Sequence, residues 1–229
     1  MPLILLIDTA TDYAGVGLSQ EGKLIAKEEE IHQKNHASFL HIAIQNVLNK
    51  ANKTLNEIDA VAVTGGPGSY TGIRVGLSSA KGICFALNKP LIVINTLQVI
   101  AAAALAEAIK QEILPKTDFR LYPMIDARRM EVFGGIYNPQ LYPTQETAAF
   151  ILDDAFFSSL KKDEPMLFCG NGSAKINQLQ LSNVHIVIQS QHTVNQMIEL
   201  SEKAFLDQHF SDIAYTEPIY VKEFYNNQH

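Results

Sequence analysis

Cysteine is scarce in this chain. Only Cys84 and Cys169 occur among 229 residues, and they lie far apart. Two such residues supply neither a zinc spacing nor a redox motif, and a reducing cytoplasm is the expected setting. No apolar run approaches the ~20 residues of a membrane span. The first apolar run follows Met1-Pro2 without a basic segment before it, so no signal peptide is expected. Low-complexity tracts and linkers are also missing. Basic charge is thin: 18 Lys and Arg stand against 24 Asp and Glu, a net charge of −6. The densest basic spots are Arg128-Arg129 and Lys161-Lys162. A protein that grips nucleic acid alone usually carries a basic patch. This chain is expected to meet nucleic acid only where a partner holds it.

What is present is a globular composition, 47% hydrophobic and 18% charged, long enough for one or two domains with a real core. One stretch stands out, Thr64-Gly65-Gly66-Pro67-Gly68-Ser69-Tyr70-Thr71-Gly72-Ile73-Arg74. An apolar strand-like segment, 58–63, precedes it, and a helix-like segment, 73–87, follows. Ser69 or Thr71 is placed to cap that helix. Strand, glycine turn and helix N-terminus together make an anion cradle, because free N–H groups point outward at the positive end of the dipole. The spacing is not that of a P-loop, since Ile73-Arg74 follows Gly72 where Lys-Ser or Lys-Thr is needed. It is not the dinucleotide fingerprint either, since Thr71 stands where a glycine belongs. A tight turn with no ligand remains the plain alternative.

The first third reads as strand 3–8, a hairpin 13–30 turning at Gln20-Glu21-Gly22-Lys23, helix 37–50, strand 60–64, helix 71–87 and strand 91–95. The rest reads as helix 101–113, strands 121–126 and 132–137, and turns at Asn138-Pro139 and Tyr142-Pro143-Thr144. A short helix 150–161, strands 166–169 and 184–188, and a last helix 193–210 complete it. The expected lobes are 1–106 and 107–229.

Read as a longer word, Gly66-Pro67-Gly68-Ser69-Tyr70-Thr71-Gly72-Ile73-Arg74-Val75-Gly76 resembles the signature of the Kae1/TsaD/TsaB family, within the actin-like, sugar-kinase and Hsp70-like ATPase superfamily. Asp8-Thr9-Ala10-Thr11 and Lys89-Pro90-Leu91-Ile92-Val93-Ile94-Asn95-Thr96 fit it as well. Asp126-Ala127-Arg128-Arg129-Met130-Glu131-Val132-Phe133 and Pro218-Ile219-Tyr220-Val221-Lys222 resemble the TsaB, or YeaZ-like, branch in particular. The resemblance implies an α/β, ribonuclease H-like fold of two βββαβα lobes, the second reduced. It implies a cytoplasmic, non-catalytic partner in tRNA N6-threonylcarbamoyladenosine synthesis. Such a partner binds and activates TsaD, assembles with TsaE, and pairs with itself when alone. It has no cofactor by itself, with ATP or ADP placed at an interface shared with partners.

In the catalytic relatives a His-x-x-x-His pair follows the strand after the glycine-turn helix. Thr96 and Ile100 stand there in this chain, and neither type replaces a metal-ligating histidine. His32 and His36 are the other i, i+4 pair, but Gln33 stands where a metalloprotease needs Glu, and no third ligand is close. Catalytic and metal residues are therefore expected to be none. Asp8, Thr9, Thr11, Gly66, Gly68 and Gly72 recur as a reduced nucleotide loop. Asp8 is placed to hold Mg²⁺ through water, or simply to form an Asx turn. Asp126 and Gly170-Asn171-Gly172-Ser173 are the second-lobe candidates.

The first of the two long helices is apolar over more than half its circumference, beyond the stripe of about 100° that a surface helix needs. The second carries Gly76, Ser79, Gly82 and Ala86 on one side and Ile73, Leu77, Ala80, Cys84 and Leu87 on the other. Small residues let another helix approach closely. Phe39, Ile42, Ala43, Val75, Ser79, Gly82 and Ala86 are the expected partner surface. The rival readings are an ATP-dependent small-molecule kinase and a glycoprotease-like peptidase of the same superfamily.

Overall fold

The computed structural model describes residues 2–31, 36–116, 118–160, 164–178, 185–188 and 190–222. The chain divides into two compact units. One comprises 1–99 and 192–218, the other 100–191 and 219–229. The division falls at Val99 rather than at residue 106, and a late segment expected in the second lobe returns to the first unit.

Unit 1 is a five-stranded sheet. β1 (Leu3–Asp8), β2 (Ala14–Gln20) and β3 (Lys23–Glu30) run antiparallel in sequence. Glu21 and Gly22 both take positive φ, the conformation a two-residue hairpin loop demands. Helix α1 (His36–Ala51) leads to β4 (Ala60–Thr64), and helix α2 (Tyr70–Leu87) leads to β5 (Leu91–Ile94). The sheet order is β3-β2-β1-β4-β5, with β4 parallel to both β1 and β5.

β1 is buried from end to end. Its side chains alternate between faces, so both faces must be covered. Leu3, Leu5 and Ile7 pack with Leu40, Ile44, Val47, Leu77 and Ala80 of α1 and α2. Ile4 and Leu6 face the other way, against Val194 and Met197. That second cover is helix α5 (Met197–Leu206) with the 3₁₀ turn before it, whose Thr193 hydroxyl accepts from Asn195 N. A sheet apolar on both faces needs a second layer, and this is the physical reason residues 192–218 join unit 1.

Unit 2 repeats the plan. Helix α3 (Thr96–Lys110) leads into it. β6 (Arg120–Asp126), β7 (Glu131–Tyr137) and β8 (Pro143–Ile151) are antiparallel neighbours. The short helix α4 (Asp154–Ser159), β9 (Met166–Cys169), a 3₁₀ segment Asn171–Gln178 and β10 (His185–Ile188) follow. The sheet order, β10-β9-β6-β7-β8, is that of unit 1 read from the other edge. The reduction lies in the helices, not the strands. α4 has 6 residues where α1 has 16. The expected turn at 142–144 opens β8, with Pro143 at its first position, where no ladder donor is missed. The core gathers edge-on aromatic contacts around Tyr122, with Phe150 and Phe156 at 5.8 and 5.7 Å between ring centres. Lys161, Lys162 and Val184 lie outside the described residues.

Candidate functional site

The glycine turn of unit 1 packs against the turn that follows β1. Ser69 N donates to Ala10 O at 2.7 Å, and a Cβ on Gly68 would sit 1.9 Å from that same oxygen. Gly68 is therefore required for a close approach of two backbones. Gly66 N–Cα rotation reaches φ +110°, and Gly66 O accepts from Thr96 N at 2.9 Å. Ser69, not Thr71, caps α2, its hydroxyl accepting from Gly72 N at 3.2 Å. Thr9 Oγ1 donates to Gly72 O at 2.7 Å. The N–H groups of Ser69 and Gly72 are thus already bonded within the chain. Much of the expected cradle is stitched to its own neighbours.

Asp8 ends β1 and is fully buried. Its Oδ1 accepts from Ala10 N at 3.1 Å, an Asx turn, and from the Thr64 hydroxyl at 2.8 Å. Its Oδ2 makes no well-aligned hydrogen bond but lies 3.3 Å from His192 Nε2. Burial pushes the Asp8 pKa up. The contact and charge of His192, the Ala10 N–H and the Thr64 hydroxyl together outweigh it and hold the carboxyl below its usual value. His192 is buried as well, with Nε2 3.4 Å from Thr11 Oγ1 and its ring edge-on to Tyr13 at 5.6 Å. Tyr13 is pinned in turn. Its hydroxyl donates to Glu29 Oε1 at 2.8 Å and accepts from Val194 N at 3.1 Å. Of the expected loop, the structure brings together Asp8, Thr9, Thr11, Gly68 and Gly72. Sequence reasoning missed His192, a single histidine in a polar stretch with no spacing to flag it.

Unit 2 holds a counterpart. Asp126 ends β6, the strand that occupies the sheet position of β1. Its Oδ1 accepts from Arg128 N at 2.6 Å, again two residues on, and from Lys175 Nζ at 2.6 Å. Asp126 N donates to Asn171 Oδ1 at 2.9 Å, which ties in the expected Gly170–Ser173 turn. Desolvation raises the Asp126 pKa, and Lys175 with the Arg128 N–H brings it below the ordinary value.

Where the catalytic relatives are expected to carry a histidine pair, Thr96 and Ile100 are both buried. The Thr96 hydroxyl has no hydrogen-bond partner among the described residues. Among those residues, no three His, Cys, Asp or Glu side chains gather into a metal cluster. His32 and Gln33 lie outside them.

The helix face differs in part from expectation. Ala43 is 1% exposed and belongs to the core beneath α1, because it shares the stripe of Leu40, Ile44 and Val47. Gly76 also faces inward: a Cβ there would sit 2.3 Å from Thr9 Oγ1. Phe39, Val75 and Ser79 are half-buried. Ile42 is 64% exposed, Ala86 is exposed, and a Cβ on Gly82 would meet nothing within 4 Å. Phe85, not anticipated, is 81% exposed, three positions from Gly82 on the same face of α2.

Fold and site define a duplicated α/β protein, two five-stranded sheets with an internally paired carboxylate at the same position of each. A family model, TsaD: tRNA N6-adenosine threonylcarbamoyltransferase, matches residues 26–219. The tRNA threonylcarbamoyladenosine biosynthesis protein TsaB of Bacillus subtilis is 30% identical over 182 residues, covering 77% of this chain and 74% of that protein. The TsaB of Haemophilus influenzae is 26% identical over 224 residues, 96% and 93% of the two chains. The solved structure of YeaZ from Pseudomonas aeruginosa shares the fold, with a TM-score of 0.80 at 24% identity over 96% of this chain and 100% of that one. The chain belongs to the TsaD family, in its TsaB/YeaZ branch.

Proposed function

We propose that the chain is a non-catalytic partner subunit in tRNA N6-threonylcarbamoyladenosine synthesis, binding and activating a TsaD transferase and assembling with TsaE. The observation that carries this reading is that Phe85 stands exposed one turn from the open Gly82 on α2, with Ile42 exposed on α1. Large apolar side chains left in water beside an open helix face point to an interface. An open glycine lets an opposing helix come close. Alone, the same face pairs two copies of the chain. The residues at positions 96 and 100 support the non-catalytic half of the proposal, since a buried Thr and a buried Ile make no metal centre. ATP or ADP then belongs to a site completed by the partners, and tRNA is reached through TsaD.

The test is co-purification with a candidate TsaD, followed by tRNA modification assayed with and without this chain. The expected result is a stable complex, modification only when both proteins are present, and no ATP turnover by this chain alone. Robust single-protein ATP turnover abolished by Asp8→Ala would favour the kinase reading. Hydrolysis of a peptide substrate by this chain alone would favour the peptidase reading.

A further inference from the structure

The superfamily that the sequence resembles places a divalent cation and nucleotide phosphates near the end of its first strand, and Asp8 stands at that end. The residues present do not fit such an ion. Magnesium takes near-octahedral oxygen ligands at about 2.0–2.1 Å and keeps several of its waters. Asp8 has no exposed surface. Its Oδ1 is bonded to Ala10 N and the Thr64 hydroxyl, and its Oδ2 faces His192 at 3.3 Å. The hydroxyls beside it are engaged too, Thr9 with Gly72 O and Thr11 with Tyr13 N at 3.2 Å.

We infer that His192 fills the place of the cation at Asp8 and closes that carboxylate to metal and nucleotide. A carboxylate this deeply buried needs a partner, since an unpaired buried charge is strongly disfavoured. A ring nitrogen 3.3 Å away supplies it from inside the chain. The ring is held on its other sides. Thr11 lies within reach of the same nitrogen, and Tyr13 packs edge-on, itself fixed by Glu29 and Val194 N. The groups facing the Asp8–His192 pair are thus Thr11, Tyr13 and Thr64, with Glu29 acting through Tyr13. His192 arrives at the head of the segment whose Val194 and Met197 cover the sheet. The plug is therefore anchored by packing as well as by its contact with the carboxylate. The inference goes beyond the partner reading and does not depend on it.

The test is Mn²⁺ binding by electron paramagnetic resonance on the full chain, Mn²⁺ alone being the probe. Wild type is compared with H192A, D8N and the D8N/H192A double variant, each with a thermal melt. Wild type should take up no Asp8-dependent Mn²⁺. H192A should gain a saturable, Asp8-dependent site at least about tenfold tighter than any residual Mn²⁺ binding by wild type, the scale of a modest coupling between two sites. The double variant should lose it again. Free imidazole should displace Mn²⁺ from H192A and raise its melting temperature. If H192A does not fold, H192V replaces it. It keeps bulk without a donor and should show the same gain, lost in D8N/H192V. Mn²⁺ uptake by wild type that D8N abolishes would overturn the inference, because the carboxylate would then be open. A folded His192 variant with no Asp8-dependent site would overturn it as well.

Discussion

Replacing Gly68 with Ala should destabilise the protein far more than the same replacement at Gly82. An added Cβ at position 68 would lie 1.9 Å from Ala10 O, 2.9 Å from Ala10 C and 3.3 Å from Ala10 Cβ. Backbone atoms cannot swing aside as a flexible side chain does, so the two turns must part. Overpacking with backbone displacement costs about 1–3 kcal/mol. Parting also breaks the 2.7 Å bond from Ser69 N to the buried Ala10 carbonyl. A buried polar group left unsatisfied costs about 1–3 kcal/mol. Together they cost about 2–6 kcal/mol, a large share of the ~5–15 kcal/mol that holds a typical protein folded. At Gly82, on the open face of α2, the only change is helix propensity, a gain of up to about 1 kcal/mol. Urea unfolding followed by circular dichroism should therefore move the G68A midpoint down and the G82A midpoint level or up. A G68A midpoint equal to that of G82A would refute the claim that the glycine turn is a backbone stitch.

Three further outcomes are expected. Asp8 has a folded pKa below that of an ordinary Asp, about 3.9, so its stabilisation is present above that value and is lost as pH falls through the lower folded one. D8N should be less stable at neutral pH and should lose less on acidification below about pH 4 than wild type does, and parallel acid limbs would contradict this. Burial lifts the Cys84 thiol to about 11 and Cys169 higher still. Neither should react with a disulfide reagent at about pH 8 until the chain unfolds, and a fast thiol in the native protein would count against the burial described. G82R should melt like wild type and fail to pull down TsaD, because a charged side chain holds the opposing helix away. Retained binding would remove Gly82 from the interface, and collapse of the isolated variant would place this face in the core.

Most of unit 1 was legible because its signals are local. A short apolar run gives β1, Gln20-Glu21-Gly22-Lys23 gives the hairpin, and Ser69 or Thr71 gives the start of α2, where the structure selects Ser69. β8 was missed because its first half is exposed and polar, so no alternation rises above the turn residues at its start. Ala43 was misplaced because alanine is apolar enough for either face, and only the packing of α1 decides. The return of residues 192–218 left no mark in its own sequence. The mark lay elsewhere, in the unbroken burial of β1, which requires cover on both faces. His192 was illegible for the same reason, since its meaning comes from a carboxylate more than 180 residues away.

The duplication gives the pairing at Asp8 a second instance. In each unit the central strand that starts the βββ meander ends in Asp, and each Asp accepts from the N–H two residues on. Each then meets a nitrogen from a later segment of its own unit, His192 in one and Lys175 in the other. The settings differ. Asp8 is sealed, while the Asp126 side chain is 45% exposed, and there Lys175 is held by a second acceptor, Glu131 O at 2.7 Å. Screening by water makes an exposed pair a weak contributor to stability. The lysine contact therefore matters chiefly for occupying the carboxylate and fixing the turn. Two environments, one sealed and one wet, reach the same end by different nitrogen groups. A strand-end carboxylate in this fold is chemically available only when no group of its own unit claims it. Here both are claimed, Asp8 by His192 and Asp126 by Lys175.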